Sequence, residues 1–453
     1  MRVPNFTEGK ILSPLVRFAL PVLLALFLQT MYGAVDLLVV GQFGNAADVS
    51  AVSTGSQMMN LVTVMITGLS MGVTVLVGQK IGEQKPQEAG DAVGSGICLF
   101  AVLAVCMTAV MIFAAEPFSR LMQAPKEALS GTALYVRICS AGMICIVAFN
   151  VLGSVFRGIG DSKMPLITVA IACGVNIAGD LLLVAGFRMG VAGAALATVL
   201  AQAVSVVLSL VIIRRRGLPF LFSRKQVRFH GATIRRILGL GIPIALQDFL
   251  VSISFLVIMA IVNSLGLIAS AGVGVAGKLC SFIMLVPSAY MQSMSAFVAQ
   301  NIGANKPDRA KKALLYSVLT SLVCGILMGY LSFFHGDFLV SLFARETEVI
   351  AAGWSYLRAY SIDCLLTCFL FCFIGYFNGR GKTVFVMVQG LIGSFGVRIP
   401  VSYAVSRMAG VSLFQIGLAT PASSFVQIVL CLIYYLLLVR PRRHEVSSIA
   451  PEG

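Results

Sequence analysis

Long apolar runs separated by short polar connections recur twelve times along the chain, near residues 15–40, 49–78, 92–115, 130–156, 164–186, 190–213, 234–262, 270–299, 313–335, 351–378, 383–406 and 412–439. Each run holds the roughly 20 mostly apolar residues that a helix rising ~1.5 Å per residue needs to cross a bilayer core ~30 Å thick. The pattern predicts an all-α polytopic membrane protein with twelve transmembrane helices. The polar stretch Met1–Lys10 leads into a run longer than a signal-peptide core, with no small-residue cleavage pattern behind it, so that run reads as a retained first span. Pro21, Pro165, Pro243, Pro287 and Pro400 punctuate the spans. Such breaks persist in a membrane only where the freed backbone groups face protein or a water-filled cavity.

The runs fall into two similar sets. VGQKIGEQKP at 77–86 returns as VAQNIGANKP at 298–307, and FRGIGDSK at 156–163 returns as FNGRGKTV at 377–384, both 221 residues later. Pro21, Gly44 and Gly55 return as Pro243, Gly266 and Gly277 at a spacing of 222. The chain therefore divides into an N-lobe of six helices (1–213), a basic linker (214–233), a C-lobe of six helices (234–439) and a tail (440–453). Six is even, so the two bundles insert in the same orientation, related by a pseudo-twofold axis along the membrane normal. Such a pair encloses a cleft that can open to either face.

Composition changes the picture mainly through charge. Of 453 residues 58% are hydrophobic and 11% charged, far below the roughly 25% of a soluble domain, yet the net charge is +15. In a soluble protein that excess would suggest nucleic acid. Here 24 of the 33 basic residues fall at one side, from Arg2, Lys10 and Arg17 through Lys80, Lys85, Arg157, Lys163 and the Arg214–Arg236 stretch to Lys306, Arg309, Arg380, Arg440, Arg442 and Arg443; only five fall in the alternate loops. Basic residues mark cytoplasmic loops, so both termini and the linker are expected in the cytoplasm of a cell (inner) membrane protein, with the lipid bilayer and not nucleic acid as the partner of the charge. Eleven cysteines lie inside apolar runs and three histidines are scattered, so neither a disulfide framework nor a metal site is expected. No HExxH, GxSxG or P-loop motif suggests an enzyme or a cofactor.

Scarcity of charge makes the intramembrane carboxylates conspicuous: Asp36, Asp180, Asp248 and Asp363 lie well inside spans. A charge at the bilayer centre costs roughly 2.5–3.5 kcal/mol on insertion scales and usually marks an ion or substrate path. Tyr32 and Gln29 precede Asp36 by four and seven residues, and Asn176 precedes Asp180 by four, so each set lies on one helix face. Two polar faces in one bundle suggest a hydrated pocket able to take a proton or Na+. The competing reading for the two acids is a structural hydrogen bond across helices, and for Gln29, Tyr32 and Asn176 it is ordinary packing. Asp248, beside Gln247, and Asp363 could make a second acidic site in the C-lobe or serve structure singly. Cys364, Cys368 and Cys372 form one stripe, better suited to close helix packing than to a metal.

These features resemble the multidrug and toxic compound extrusion (MATE) family across essentially the whole chain. The resemblance rests on Pro21 followed by Asp36 in DLLVVGQFG, the G-Q-x-I-G-x-x-K-P turn after span 2, F-R-G-x-G-D after span 4, N-x-x-x-D in span 5, and the second copies of Q-x-I-G and F-x-G-x-G. Similarity to the DinF-like branch implies an N-lobe cation site of Asp36, Asn176 and Asp180, with Tyr135 and Thr198 beside it and Pro21 as the hinge of span 1. Gln29, Tyr32, Gln247, Asp248 and Asp363 are the candidate cavity or substrate residues. The NorM-like pattern is departed from: Lys278 stands where that branch has an acid, and Thr367 occupies its usual span-10 position. The resemblance implies a monomeric antiporter that exports amphipathic, often cationic, drug-like molecules in exchange for H+ or Na+ by alternating access. A lipid-linked oligosaccharide flippase is the alternative within the broader superfamily, and would be expected to line its cleft with several Arg or Lys.

Overall fold

The computed structural model describes residues 6–220, 222–408 and 410–439. Arg2, Arg440, Arg442, Arg443 and the tail assigned to 440–453 lie outside the described residues. Among those residues, eleven helices are long and apolar enough to cross a membrane: Leu12–Phe43 (span 1), Ala46–Gly82 (span 2), Pro86–Leu121 (span 3), Lys163–Gly186 (span 5), Gly190–Arg216 (span 6), Gly231–Asn263 (span 7), Leu267–Gly303 (span 8), Pro307–Phe334 (span 9), Thr347–Gly379 (span 10), Thr383–Ser406 (span 11) and Leu413–Leu438 (span 12). Span 4 is a pair, Lys126–Ala141 and Met143–Ile159, bent by 56°. The unbroken apolar run 130–156 does not betray this bend. It falls at Gly142, against whose bare Cα the Val199 side chain of span 6 packs, leaving no room for a methyl.

Spans 2 and 3, at 37 and 36 residues, outrun their apolar windows because their stop and start signals lie beyond them. Asn45 and Asp48 cap span 2 reciprocally, the Asp48 amide donating to Asn45 Oδ1 at 2.9 Å and the Asn45 amide to Asp48 Oδ2 at 3.2 Å. Proline occupies the first turn of spans 3 and 9, where its missing N–H costs nothing.

The repeat is visible in the turns themselves. Gln84 and Asn305, at φ of 58° and 55°, end spans 2 and 8 in the left-handed region. In each turn the next amide reaches back five residues, Lys85 N to Lys80 O at 3.0 Å and Lys306 N to Asn301 O at 2.8 Å, which closes the helix end. Outward surfaces carry large exposed apolar side chains such as Phe113 (84%) and Leu267 (85%), as lipid-facing helices do.

The two six-helix bundles meet through spans 1, 2, 7 and 8, and at the end bearing the basic loops they are closed on one another. Gln79 Nε2 of span 2 donates to Gly379 O of span 10 at 3.2 Å; its counterpart 221 residues on, Gln300 Nε2 of span 8, donates to Gly158 O of span 4 at 2.9 Å, and Gly158 is the counterpart of Gly379. Gly82 and Gly303, again counterparts, sit so close that a methyl on either would overlap the carbonyl of Gln300 or Gln79 respectively. Phe6 wedges beneath this seam against Phe18 and Phe297, and its carbonyl accepts from Arg309 Nη2 at 3.0 Å. At the opposite end the bundles part around a cavity of about 490 Å³.

Candidate cation site and adjoining cavity

Span 1 carries Asp36 two turns from the end that faces away from the basic loops, and Asp36 is only 5% exposed. Thr198 of span 6 donates its hydroxyl to Asp36 Oδ2 at 3.3 Å. Asp180 and Asn176 of span 5, both fully buried, face the same carboxyl group, and the Tyr135 hydroxyl of span 4 faces Thr198. Five side chains from spans 1, 4, 5 and 6 thus converge. The close approach is permitted by small residues: a methyl on Gly179 would sit 3.0 Å from Ala197 Cβ, and one on Gly55 would come 2.7 Å from the Tyr135 ring. Span 5 changes to a π-helical turn at Leu181–Gly186, directly after Asp180, a distortion often met at functional sites.

The carboxylate and amide oxygens of this cluster offer more acceptor sites than its donors fill. Asp36 Oδ1, both Asp180 oxygens and both Asn176 side-chain polar atoms are buried with no hydrogen-bond partner. Asp36 and Asp180 lie close enough to share a hydrogen bond if one of them holds a proton. Two uncompensated carboxylates in a low-dielectric interior repel each other and cost several kcal/mol each in lost hydration. A proton between them, or one small cation ringed by their oxygens with the Asn176 and Thr198 oxygens, removes that penalty.

Around this core, Tyr32 lies one turn before Asp36 and its hydroxyl accepts from Gln202 Nε2 of span 6 at 3.2 Å. Gln29 is half-buried on the same face. Span 1 runs unbroken through Pro21, whose ring leaves the Arg17 carbonyl without its usual helical donor. Gln202 was not singled out by sequence, although a signal existed: Thr198, Gln202, Ser205 and Ser209 recur at helical spacing on span 6.

The C-lobe candidates are not brought together. Asp363, 1% exposed, faces Arg398, Ser424 and the tyrosines Tyr356 and Tyr360. Asp248 lies half-buried one turn from Ser252, on the span-7 face that leads into the cavity, and is not among those neighbours. Gln247 packs on the opposite side, where a methyl on Gly390 would meet it at 3.0 Å. The cysteine stripe of span 10 acts in packing: Cys368 Sγ donates to Ser321 O at 3.2 Å and fills the groove at Gly325.

The cavity is lined from both bundles, by Gln57, Asn60 and Leu61 of span 2 and by Phe255, Met259, Tyr356 and Tyr360 among others of the C-lobe. None of its lining side chains carries a formal charge. Span 2 therefore touches both places: Gly55 bears on Tyr135 at the carboxylate cluster, and Gln57, two residues later, lines the cavity.

Comparison with known proteins agrees with the duplication. The MatE family model matches twice, at residues 21–182 and 243–404, two segments 222 residues apart. The chain is 27% identical over 419 residues to the probable multidrug resistance protein YpnP of Bacillus subtilis, covering 92% of this chain and 94% of that one. It is 24% identical over 440 residues to the multidrug export protein MepA of Staphylococcus saprophyticus, with 95% of each covered. Among solved structures, an outward-facing multidrug resistance MATE transporter superposes with a TM-score of 0.91 at 18% identity over 97% of this chain and 98% of that one. A transporter of the MOP superfamily from Pyrococcus furiosus reaches 0.90 at 19%, with the same coverage. With two bundles, a duplicated seam and both halves matched by one family model, the chain belongs to the MATE family of multidrug efflux transporters.

Proposed function

We propose that the protein is a cation-coupled antiporter that expels amphipathic, often cationic organic molecules across the cell membrane, with its basic end in the cytoplasm. The observation that carries this reading is the buried Asp36–Asp180 pair with its unpartnered acceptor atoms, linked through span 2 to a neutral cavity of drug size. The arrangement then corresponds to an outward-facing state: closed at the basic end, open opposite.

Each residue has a mechanical part. Asp36 and Asp180 accept H+ or Na+ from outside, and Thr198 and Asn176 hold the carboxyl groups in register. Loss of repulsion draws span 1 toward spans 5 and 6. Tyr32, bonded to Gln202, moves with it, and the free carbonyl opposite Pro21 lets span 1 flex about fifteen residues, or roughly 22 Å, below Asp36. The displacement reaches the drug through Tyr135, Gly55 and span 2, which ends the favourable contacts of an apolar guest with Phe255, Met259, Tyr356 and Tyr360. One elementary charge falling through about 100 mV supplies roughly 2.3 kcal/mol, equivalent to roughly a fifty-fold gradient of exported substrate.

The test is dye efflux from everted vesicles, with pH and Na+ gradients imposed separately. Asp36→Asn should insert normally and export no dye under either gradient. Export at the parental rate would refute the assignment.

A further inference from the structure

The carboxylate cluster of the N-lobe has a counterpart in the C-lobe, built from the positions that the repeat dictates. At a spacing of 222, Tyr32, Asn176, Thr198 and Gln202 correspond to Ser254, Arg398, Thr420 and Ser424; at 221, Tyr135 corresponds to Tyr356. The correspondence is spatial as well as sequential. Tyr135 faces Thr198 in one lobe, and Tyr356 faces Thr420 in the other. The acidic members are lost: Asp36 becomes Ile258 and Asp180 becomes Ser402. In their place stands a guanidinium.

Arg398 is 5% exposed although it lies inside a span. Its Nη1 donates to Ser254 Oγ at 3.0 Å, its Cζ lies over the Phe255 ring 4.4 Å from the centroid, and its Nε has no partner. The acid that acts on it is Asp363, 1% exposed, facing Ser424, with Oδ1 unpartnered. Asp363 and Arg398 attract each other without ion-pair contact. The titratable groups around Asp363 are Arg398, Tyr356, Tyr360, Cys280, Cys364 and Cys368. A guanidinium does not release its proton in proteins, so the charge is permanent in every state of the cycle.

We propose that Arg398 is a built-in cation that fills the C-lobe counterpart of the cation site, with Asp363 as its counter-charge, so that the C-lobe takes up no coupling ion and the N-lobe alone sets the ion stoichiometry. A mobile H+ or Na+ approaching Asp363 meets a fixed positive charge already balancing it. The C-lobe thereby keeps the shape of the duplicated site while its charge stays constant, and its polar core serves as a fixed wall against which the N-lobe moves. This rests on the reading of Asp36 and Asp180 as the coupling site.

The experiment compares the full chain with Arg398→Lys, Arg398→Asn and Arg398→Asn/Asp363→Asn, each reconstituted in vesicles, and reads both the yield of folded protein and the dependence of dye export on H+ or Na+ concentration. Arg398→Lys should retain the parental single-site dependence. Arg398→Asn, which installs the side chain of Asn176 and exposes Asp363, should either steepen to a two-site dependence or lose folded yield. The double variant should restore the parental behaviour in whichever quantity changed. Arg398→Asn indistinguishable from the parent, a double variant no better than the single one, or Arg398→Lys as impaired as Arg398→Asn would each overturn the proposal. The Asp36→Asn variant is read separately: parental ion dependence there defeats the N-lobe site, while the Arg398 series still reports whether Asp363 is held by the fixed charge.

Discussion

The seam at the basic end offers a perturbation whose size can be worked out from its bonds. Gln79→Ala/Gln300→Ala removes three hydrogen bonds: Gln79 to Gly379 O at 3.2 Å, Arg236 Nη2 to Gln79 Oε1 at 3.0 Å, and Gln300 to Gly158 O at 2.9 Å. A neutral bond contributes about 1 kcal/mol net, and one to a charged group about 1.5–3 kcal/mol. All three span elements that must separate when the basic end opens, so the double variant should destabilise the closed state by about 3.5–5 kcal/mol. That is a shift on the order of 1,000-fold toward the state open at the basic end. Hydrogen exchange in lipid nanodiscs reads both ends at once. Amides around 155–160 and 298–303 should exchange faster, while those around 252–259, at the cavity, should exchange more slowly as that end closes. Unchanged exchange at the seam would refute the latch. Faster exchange at both ends would mean general loosening and would refute the two-state reasoning.

Two further substitutions probe the link between the carboxylates and the cavity. Gly55→Ala places a methyl 2.7 Å from the Tyr135 ring; the ring must shift from Thr198, and the H+ or Na+ concentration for half-maximal export should rise several-fold with folded yield unchanged, read by vesicle efflux at graded ion concentrations. Thr198→Val deletes the hydroxyl that donates to Asp36 at 3.3 Å; losing about 1 kcal/mol of support for the carboxylate should move the half-maximal ion concentration roughly five-fold, seen as a changed midpoint in the same assay without loss of maximal rate.

How far the sequence alone reaches differs from feature to feature. Twelve apolar runs and the repeat at 221–222 residues suffice for the two-bundle architecture, because span length and internal likeness are both one-dimensional properties. The bend of span 4 is not such a property: it falls where the Val199 side chain packs on the bare Cα of Gly142, a contact between residues far apart in the chain. Within the carboxylate cluster, Asn176 and Asp180 are legible from their i, i+4 spacing, whereas their convergence with Asp36 depends on how span 1 docks on span 5. Gln79, Gly82, Gly158 and their counterparts stand out as repeated motifs, but likeness between halves does not reveal that the two copies grip each other across the seam. From sequence alone Arg398 is simply one basic residue within the apolar run 383–406. Burial against Ser254 and Phe255 is visible only once spans 7 and 11 are packed.

The central claim is that Asp36 and Asp180 exchange a cation for the substrate, and the most direct measurement is cation release on substrate binding. Titrating the purified protein with a cationic dye by calorimetry, in buffers of differing ionisation enthalpy and with and without Na+, counts the H+ or Na+ displaced per dye bound. Linkage requires that a ligand which expels the cation bind more weakly as that cation is raised. The account predicts release of a cation from the parental protein, and dye binding without any release in Asp36→Asn. Equal release from Asp36→Asn and the parent would contradict it.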